Sequence, residues 1–302
     1  MIKILNTRSK KFNKQLSYYL NSRKINFSSK LGIVKKIIAD IKRNKDKSLI
    51  KYEKKFNKLN KLSKKNLYFS NSEIRSITKK LNPKIKQSID LAYNRILIFH
   101  KNQKFQTFKV RDKYKNVLSY RSVPLNKVGV YVPGGTASYP SSVLMNCIPA
   151  IIAGVKEIFM TVPSTNGKIN PGVIYAAKKL GIKEIYSMGG AQAIGSLTYI
   201  QKVDKIVGPG NIYVAKAKKE VFGDVGVESM VAGPSEITIV ADKKSEIKSV
   251  ITSLIGQAEH DVNSQCIIIS KDVSLLKKIK NLIKINLKNL PRKKIAEKSL
   301  KS

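Results

Sequence analysis

Gln257 and His260 are the two side chains whose types and spacing point most directly to chemistry. They lie three residues apart in segment 245–260, where the apolar spacing predicts a helix, so they are expected to share one helical face. A histidine nitrogen and an amide oxygen in this arrangement are able to ligate a divalent metal. Two donors do not complete a metal site, and a structural hydrogen-bonding role at a helix end explains the same residues.

Three glycine-rich turns form a second group of candidate binding features, and each directly follows a predicted strand. They are Pro133-Gly-Gly-Thr136, Gly189-Gly-Ala-Gln192 and Gly208-Pro-Gly-Asn211. Parallel strands bind ligands at their carboxyl ends, where glycine allows close backbone approach and the next helix offers N–H groups. None of the turns has the GxGxxG spacing of the dinucleotide fingerprint. Together they predict a binding cleft, although each one alone also fits an ordinary tight turn.

Four polar residues beside these turns are candidates for ligand contacts. Tyr131 precedes the first turn and either offers its ring to a flat ligand or packs in the core. Gln192 and Asn211 stand at predicted helix starts, where they either cap the helix or bind a ligand. Ser235 lacks the GxSxG context of a nucleophile, which favours a polar contact or a cap.

The elements that must position these residues follow a regular alternation. Helical spacing dominates the first hundred residues, with a helix start at Asn82-Pro83, while residues 1–25 and the Lys-rich stretch after 287 show no clear pattern. From Lys127, strands alternate with helices, which predicts a doubly wound parallel sheet of the α/β class. The predicted strands are 128–132, 157–162, 184–188, 204–207, 237–241 and 266–270, and the helices lie between and after them.

The charge of the chain is strongly positive but unevenly distributed. The 302 residues include 59 Lys and Arg against 19 Asp and Glu, a net charge of +40. Residues 128–262 carry 13 Lys against 11 acidic residues, so the basic excess lies in the flanking segments. Only 8 of the basic residues are Arg, the type favoured for bidentate contacts with bases and phosphates. We expect no specific nucleic-acid binding, while a basic nucleic-acid-associated protein remains the rival class.

Cysteine content and hydropathy indicate the compartment. The two cysteines, Cys147 and Cys266, form neither a disulfide framework nor a CxxC motif. The longest apolar stretch, 148–162, is interrupted by Lys156 and Glu157, so no membrane segment is expected. The first residues also lack the apolar core of a signal peptide. These features favour the cytoplasm.

Six ordered segments give the chain a specific resemblance to histidinol dehydrogenases, strongest over residues 121–270. The segments are VGVYVPGG, SSVLMNCIPAIIAGV, MGGAQAIGSL, VDKIVGPGN, MVAGPSEITIVAD and LIGQAEHDVNSQ. The resemblance implies a cytoplasmic homodimer that oxidises L-histidinol through L-histidinal to L-histidine, with zinc and two molecules of NAD⁺. It assigns NAD contacts to Tyr131, Gln192 and Asn211, a substrate contact to Ser235, and both zinc ligation and substrate contact to Gln257 and His260.

The resemblance also implies two interleaved, Rossmann-like parallel-sheet domains, incomplete here, with a helical N-terminal region. A polar segment, 1–23, is expected to precede a discontinuous α/β domain built from 24–128 and 237–302. An NAD-binding α/β domain, 129–236, is expected to be inserted into it.

The family's remaining functional residues have no counterpart among these 302 residues. Two zinc ligands, an aspartate and a histidine, and the Glu-His pair that transfers protons lie beyond the position that matches residue 302. The resemblance therefore assigns no catalytic residue to this chain. Three interpretations follow: a fragment of a complete enzyme, an inactive relic, or a noncatalytic chain whose partner supplies the rest. We expect the isolated chain not to turn over histidinol.

Overall fold

The computed structural model describes residues 2–21, 32–57, 63, 67–103, 106–134, 139–164, 169–228, 236–262 and 264–300. The chain forms two units: a sheet unit, residues 28–232, and a terminal unit, residues 1–27 and 233–302. The sheet unit is thus inserted into a discontinuous one. The predicted boundaries differ, because residues 28–128 belong with the central sheet and not with the C-terminal segment.

The sheet unit is organised around five parallel strands whose interior positions are buried. Because helices cover both faces of such a sheet, its strands are continuous apolar runs. The strands are β3 (Lys127–Tyr131), β4 (Glu157–Thr161), β5 (Glu184–Tyr186), β6 (Lys205–Val207) and β7 (Gly226–Val227). The helices that connect them are α5 (Pro140–Ala153), α6 (Pro171–Lys179), α7 (Gly190–Tyr199) and α8 (Ile212–Glu220).

The order of the strands identifies where a ligand would bind. It is β5-β4-β3-β6-β7, so the chain winds outward from β3 to β5 and then returns to add β6 on the other side of β3. This reversal creates a topological switch point between β3 and β6. In open α/β sheets, ligands bind in the crevice that lies at the carboxyl ends of the strands beside such a switch point. The predicted α/β class and the parallel alternation are confirmed, and the predicted strand ends lie within two residues of those observed.

The N-terminal helices of the sheet unit pack on both faces of this sheet. Alternate residues of β3 enter opposite cores: Val128 and Val130 pack with Ile89, whereas Tyr131 packs with Ile41. These contacts explain why the helices group with the central sheet. They are α2 (Gly32–Asn57), α3 (Asn71–Lys79) and α4 (Pro83–Lys101), and α4 begins at the predicted Asn82 cap, whose side chain accepts from the Lys84 N–H.

An antiparallel hairpin was not predicted. Its strands, β1 (Phe108–Arg111) and β2 (Val117–Tyr120), are exposed at every position. β1 (FKVR) alternates apolar and polar residues over only four positions, β2 (VLSY) does not alternate, and neither strand buries a face, so the pattern of a half-buried strand is not established over the pair.

The terminal unit contains a two-stranded parallel sheet and its covering helices. Its elements are α1 (Phe12–Asn21), β8 (Glu236–Val240), α9 (Ile247–Ala258), β9 (Gln265–Ile269), α10 (Val273–Asn286), a 3₁₀ turn (Leu287–Asn289) and α11 (Lys293–Ser299). Two of these helices correct the prediction. The polar segment 1–23 contains α1, and the Lys-rich end contains α11, which buries Ala296 in the core of the unit. None of the helices in the described part of the chain is long and apolar enough to cross a membrane.

Candidate functional site

A cleft of about 540 Å³ opens at the carboxyl ends of β3, β4, β5 and β6. This volume lies within the range of small-molecule sites. Its described walls include the three predicted residues Tyr131, Gln192 and Asn211. The sheet unit therefore brings these three together at the place where the strand order reverses.

Tyr131 packs in the core, as one of its two predicted interpretations requires, while its contact with a ligand stays a prediction. It is 3% exposed and packs in one core of the sheet unit, yet it also lines the cleft. Its hydroxyl oxygen accepts the Gly190 N–H at 3.2 Å. Burial, and to a smaller extent the negative charge of Glu53, raises the pKa of Tyr131 to about 12. The phenol is therefore neutral at physiological pH and has a proton to donate to a ligand.

Gln192 is held by a buried carboxylate that sequence reasoning missed. Its Nε2 donates to Oε1 of Glu53 at 2.9 Å, and the same oxygen accepts the Gly189 N–H at 3.0 Å. Glu53 has no exposed surface. A signal was available: Glu53 lies four residues after buried Leu49, on the apolar face of α2.

Asn211 is the N-cap of α8. Its Oδ1 accepts the backbone N–H groups of Tyr213 and Val214 at 3.0 and 3.1 Å. Gln192 does not cap α7, whose N-cap is Gly189. Backbone N–H groups at the heads of both helices, Gly190 in α7 and Tyr213 and Val214 in α8, thus already have side-chain partners within the protein, which differs from a fingerprint site that cradles phosphates on open helix N-termini.

The glycine turns are required for packing as well as for access. A Cβ on Gly134 or Gly189 would approach Pro163 to 2.6 and 2.5 Å respectively, so the first two turns press against the end of β4. Gly208 has φ +103°, and a Cβ there would lie 2.1 Å from the Tyr131 carbonyl oxygen. Residues 135 and 136 of the first turn lie outside the described residues.

Gln257 and His260 belong to the terminal unit and are described within it. Helix α9 ends at Ala258, so His260 lies in the following turn, and the expected helical extent to 260 was wrong. The His260 N–H donates to the Gln257 carbonyl at 3.2 Å, and Gln257 Nε2 lies 3.4 Å from the Ser264 hydroxyl oxygen. Ser235 lies outside the described residues. The zinc and substrate roles of these residues stay predictions.

The residues that the structure describes do not by themselves fit a zinc centre. Among them, no group of three or more His, Cys, Asp or Glu side chains is placed to hold a metal ion. Gln257 and His260 provide two donors, whereas a catalytic zinc takes about three protein ligands and a structural zinc about four.

Comparison with known proteins agrees with the resemblance. The histidinol dehydrogenase family model matches residues 20–302. The histidinol dehydrogenase of Pelagibacter ubique is 54% identical over 304 residues, which cover 99% of this chain and 70% of that protein. The enzyme of Acinetobacter baylyi is 40% identical with the same coverage. A crystal structure of histidinol dehydrogenase from Elizabethkingia anophelis superposes with a TM-score of 0.85 at 37% identity, over 94% of this chain and 67% of that one. The chain belongs to the histidinol dehydrogenase family.

Proposed function

We propose that this chain serves the NAD-dependent oxidation of L-histidinol through L-histidinal to L-histidine. The single observation that carries the proposal is the cleft at the switch point, because Tyr131, Gln192 and Asn211 line it together. These are the three positions that the family resemblance assigns to the cofactor.

The reaction removes four electrons from one carbon. The carbinol gives a hydride to one NAD⁺ and a proton to a base, which yields the aldehyde. Water adds to the aldehyde, and the hydrate gives a second hydride to another NAD⁺. One histidinol, one water and two NAD⁺ thus yield histidine as its carboxylate, two NADH and three protons. When bound, NAD⁺ supplies the hydride acceptor for both steps.

The residues of the cleft bind and orient the cofactor. The neutral Tyr131 phenol offers a hydrogen-bond donor on an apolar, buried wall. Gln192 offers an amide at the head of α7, and Asn211 lines the wall formed by the start of α8. Phe56 and Tyr213 add aromatic surface against which a flat ring can pack. A mostly apolar cleft with a few convergent polar groups is typical of a cofactor site.

We further propose that zinc binding uses Gln257 and His260, with Ser235 contacting the substrate, and that the enzyme is a cytoplasmic homodimer. Neither Cys147 nor Cys266 takes part in a disulfide bond in the described part of the chain, which fits a reducing compartment. Since the two described donors are too few to hold zinc tightly, the 302-residue polypeptide is expected to bind the metal weakly.

NAD⁺ titration by isothermal calorimetry tests the cofactor proposal. We expect saturable binding by the wild-type chain, weakened about tenfold by Gln192→Ala, which removes a cleft amide. The matched control is Gln201→Ala, because Gln201 lies just beyond the other end of α7, away from the cleft. A wild-type chain that binds no NAD⁺ would overturn the proposal.

A separate assay tests catalytic competence. Purified chain supplemented with zinc, histidinol and NAD⁺ is expected to produce no NADH above background, because the family's Glu-His pair has no counterpart in this sequence. NADH production that depends on all three components would show that the 302 residues suffice for catalysis.

A further inference from the structure

A carboxylate is buried directly behind the cofactor cleft. Glu53 projects from the second part of α2 and has no exposed surface. Its Oε1 accepts two hydrogen bonds from the head of α7, from the Gly189 N–H at 3.0 Å and from Gln192 Nε2 at 2.9 Å. This links a helix early in the chain to a turn 136 residues later.

The chemistry of this pair fixes the orientation of the Gln192 amide. Glu53 Oε1 already accepts the Gly189 N–H, so it acts as an acceptor, and the side of the amide that faces it is the NH₂ group. The amide oxygen therefore points elsewhere. It lies beside Gly190, 2.9 Å from the position that a Cβ on that glycine would occupy. Gly190 and Gln192 both line the cleft, so the oxygen is presented at its wall.

Burial of a carboxylate requires compensation. Two N–H donors and the positive end of the α7 macrodipole supply part of it. The negative charge of Glu53 also extends to the cleft, where it adds to the effect of burial in raising the pKa of Tyr131. Glu53 thus affects two residues of the cleft wall: it binds the amide of Gln192 and helps to raise the pKa of Tyr131.

We propose that Glu53 is a positioning residue that acts through Gln192, holding its amide so that the oxygen accepts a hydrogen bond from an N–H or O–H group of the bound dinucleotide. This inference rests on the proposed function. Two properties of Glu53 matter in it: the length that lets one oxygen reach both donors, and the capacity to accept. The negative charge itself is secondary.

Two substitutions separate these properties. Glu53→Asp keeps the charge but shortens the side chain by one methylene, so its oxygen no longer reaches both donors. Glu53→Gln keeps the length and an acceptor oxygen but removes the charge. In calorimetric titrations we expect Glu53→Asp to raise the Kd for NAD⁺ about tenfold and Glu53→Gln to raise it less than about threefold. Glu184→Asp is the matched control, since Glu184 lies at the amino end of β5, away from the carboxyl ends where the cleft opens, and does not line the cleft.

A double-mutant cycle then tests whether Glu53 acts through Gln192. In the Gln192→Ala background, Glu53→Asp is expected to raise the Kd less than about twofold, because the amide that it positions is gone. A purely structural defect would weaken binding equally in both backgrounds. Thermal unfolding of each variant verifies folding, and Glu53→Ala replaces Glu53→Asp in the cycle if the shorter acid does not fold.

The possible failures are distinguishable. The role of Glu53 would be overturned if Glu53→Asp weakened NAD⁺ binding equally in the two backgrounds. It would also be overturned if Glu53→Gln weakened binding as much as Glu53→Asp does. In both cases, NAD⁺ binding by the wild type would still uphold the proposed function. A wild-type chain that binds no NAD⁺ would overturn both.

Discussion

At the scale of single residues, Gly208 shows how the cleft depends on backbone conformation. Its φ of +103° lies in a region that side-chain-bearing residues rarely adopt, and its Cα faces the Tyr131 carbonyl. The close approach joins the ends of β3 and β6, the two strands that flank the switch point. The geometry of the cleft wall at Tyr131 therefore requires the absence of a side chain at Gly208.

Gly208→Ala is expected to destabilise the chain strongly, by more than about 3 kcal/mol, because the new methyl group would lie 2.1 Å from a backbone oxygen. Gly181→Ala is the control: Gly181 also has a positive φ, +70°, but nothing lies within 4 Å of a Cβ there. The control should cost only about 1 to 2 kcal/mol. Urea unfolding curves measure both, and equal losses would contradict the steric argument.

The sequence predicted the polar cleft residues that stand beside glycine turns, and it did not predict Glu53, which lies behind the cleft. Tyr131, Gln192 and Asn211 each adjoin a strand end, where the topology of a parallel sheet predicts ligand contacts. Glu53 lies within Tyr52-Glu-Lys-Lys55, a charged run typical of a solvated helix face. Its spacing from Leu49 places it on the apolar face of α2, but the partner that buries it, α7, is distant in the sequence and is not contained in the local pattern.

At the scale of elements, a bend in α2 directs Glu53 toward α7. Lys45 interrupts the helix with φ 48° and ψ −126°. Asp40, before the bend, accepts hydrogen bonds from Asn44 Nδ2 at 2.6 Å, Tyr52 Oη at 2.9 Å and Lys51 Nζ at 3.1 Å. The last two lie after the bend, so this carboxylate ties the two parts of α2 together.

Asp40→Asn is expected to lower the free energy of unfolding by about 1 kcal/mol at pH 7, because charge-assisted hydrogen bonds across the bend are weakened. Hydrogen bonds from Ser48 and Asn44, followed by those from Lys51 and Tyr52, hold the pKa of Asp40 well below its usual value of 3.8. A lowered pKa stabilises the fold above the unfolded-state pKa, and this stabilisation is lost as the pH falls through the folded-state pKa. The difference between wild type and variant should therefore shrink below about pH 4.

Urea unfolding at a series of pH values measures this difference. Glu157→Gln is the control. Among the described ion pairs, Glu157 takes part only in an exposed one, with 3.8 Å between its Oε1 and Lys127 Nζ, so this substitution should change the free energy of unfolding little. A wild-type advantage that stays constant from pH 7 to pH 3 would contradict the assignment to the Asp40 carboxylate.

The elements that could be predicted are those that bury a continuous or periodic apolar surface. Four of the five central strands have that surface, so their ends were placed closely, whereas the two-residue β7, which has no buried residue, was not predicted. The bend at Lys45 could not be predicted, because it arises from contacts between residues on both sides of it. Helix α11 was missed because its two buried residues, Ala296 and Ser299, are small and stand among lysines, so they show no apolar periodicity.

At the scale of the whole molecule, the high net charge contrasts with the uncharged residues described in the lining of the cleft. The chain carries a net charge of +40, yet none of the described residues that line the cleft is Lys or Arg. The basic residues lie mainly in segments that flank the central sheet, and their attraction for polyanions is long-range and screened by salt. Cofactor binding in the cleft should depend instead on short-range packing and hydrogen bonds.

Salt dependence therefore separates the dehydrogenase assignment from the rival nucleic-acid class. Duplex DNA is expected to bind the chain at 50 mM NaCl and to lose at least about a hundredfold in affinity by 300 mM, because each neutralised phosphate releases counterions. The Kd for NAD⁺ should change less than about threefold over the same range, since no described basic side chain lines the cleft. Fluorescence anisotropy with a labelled duplex and calorimetry with NAD⁺ provide the two curves. The nucleic-acid class would be favoured by DNA affinity that persists at 300 mM NaCl, combined with NAD⁺ binding that is absent or weakens with salt as DNA binding does. In that case the cleft would have no binding energy independent of the overall charge.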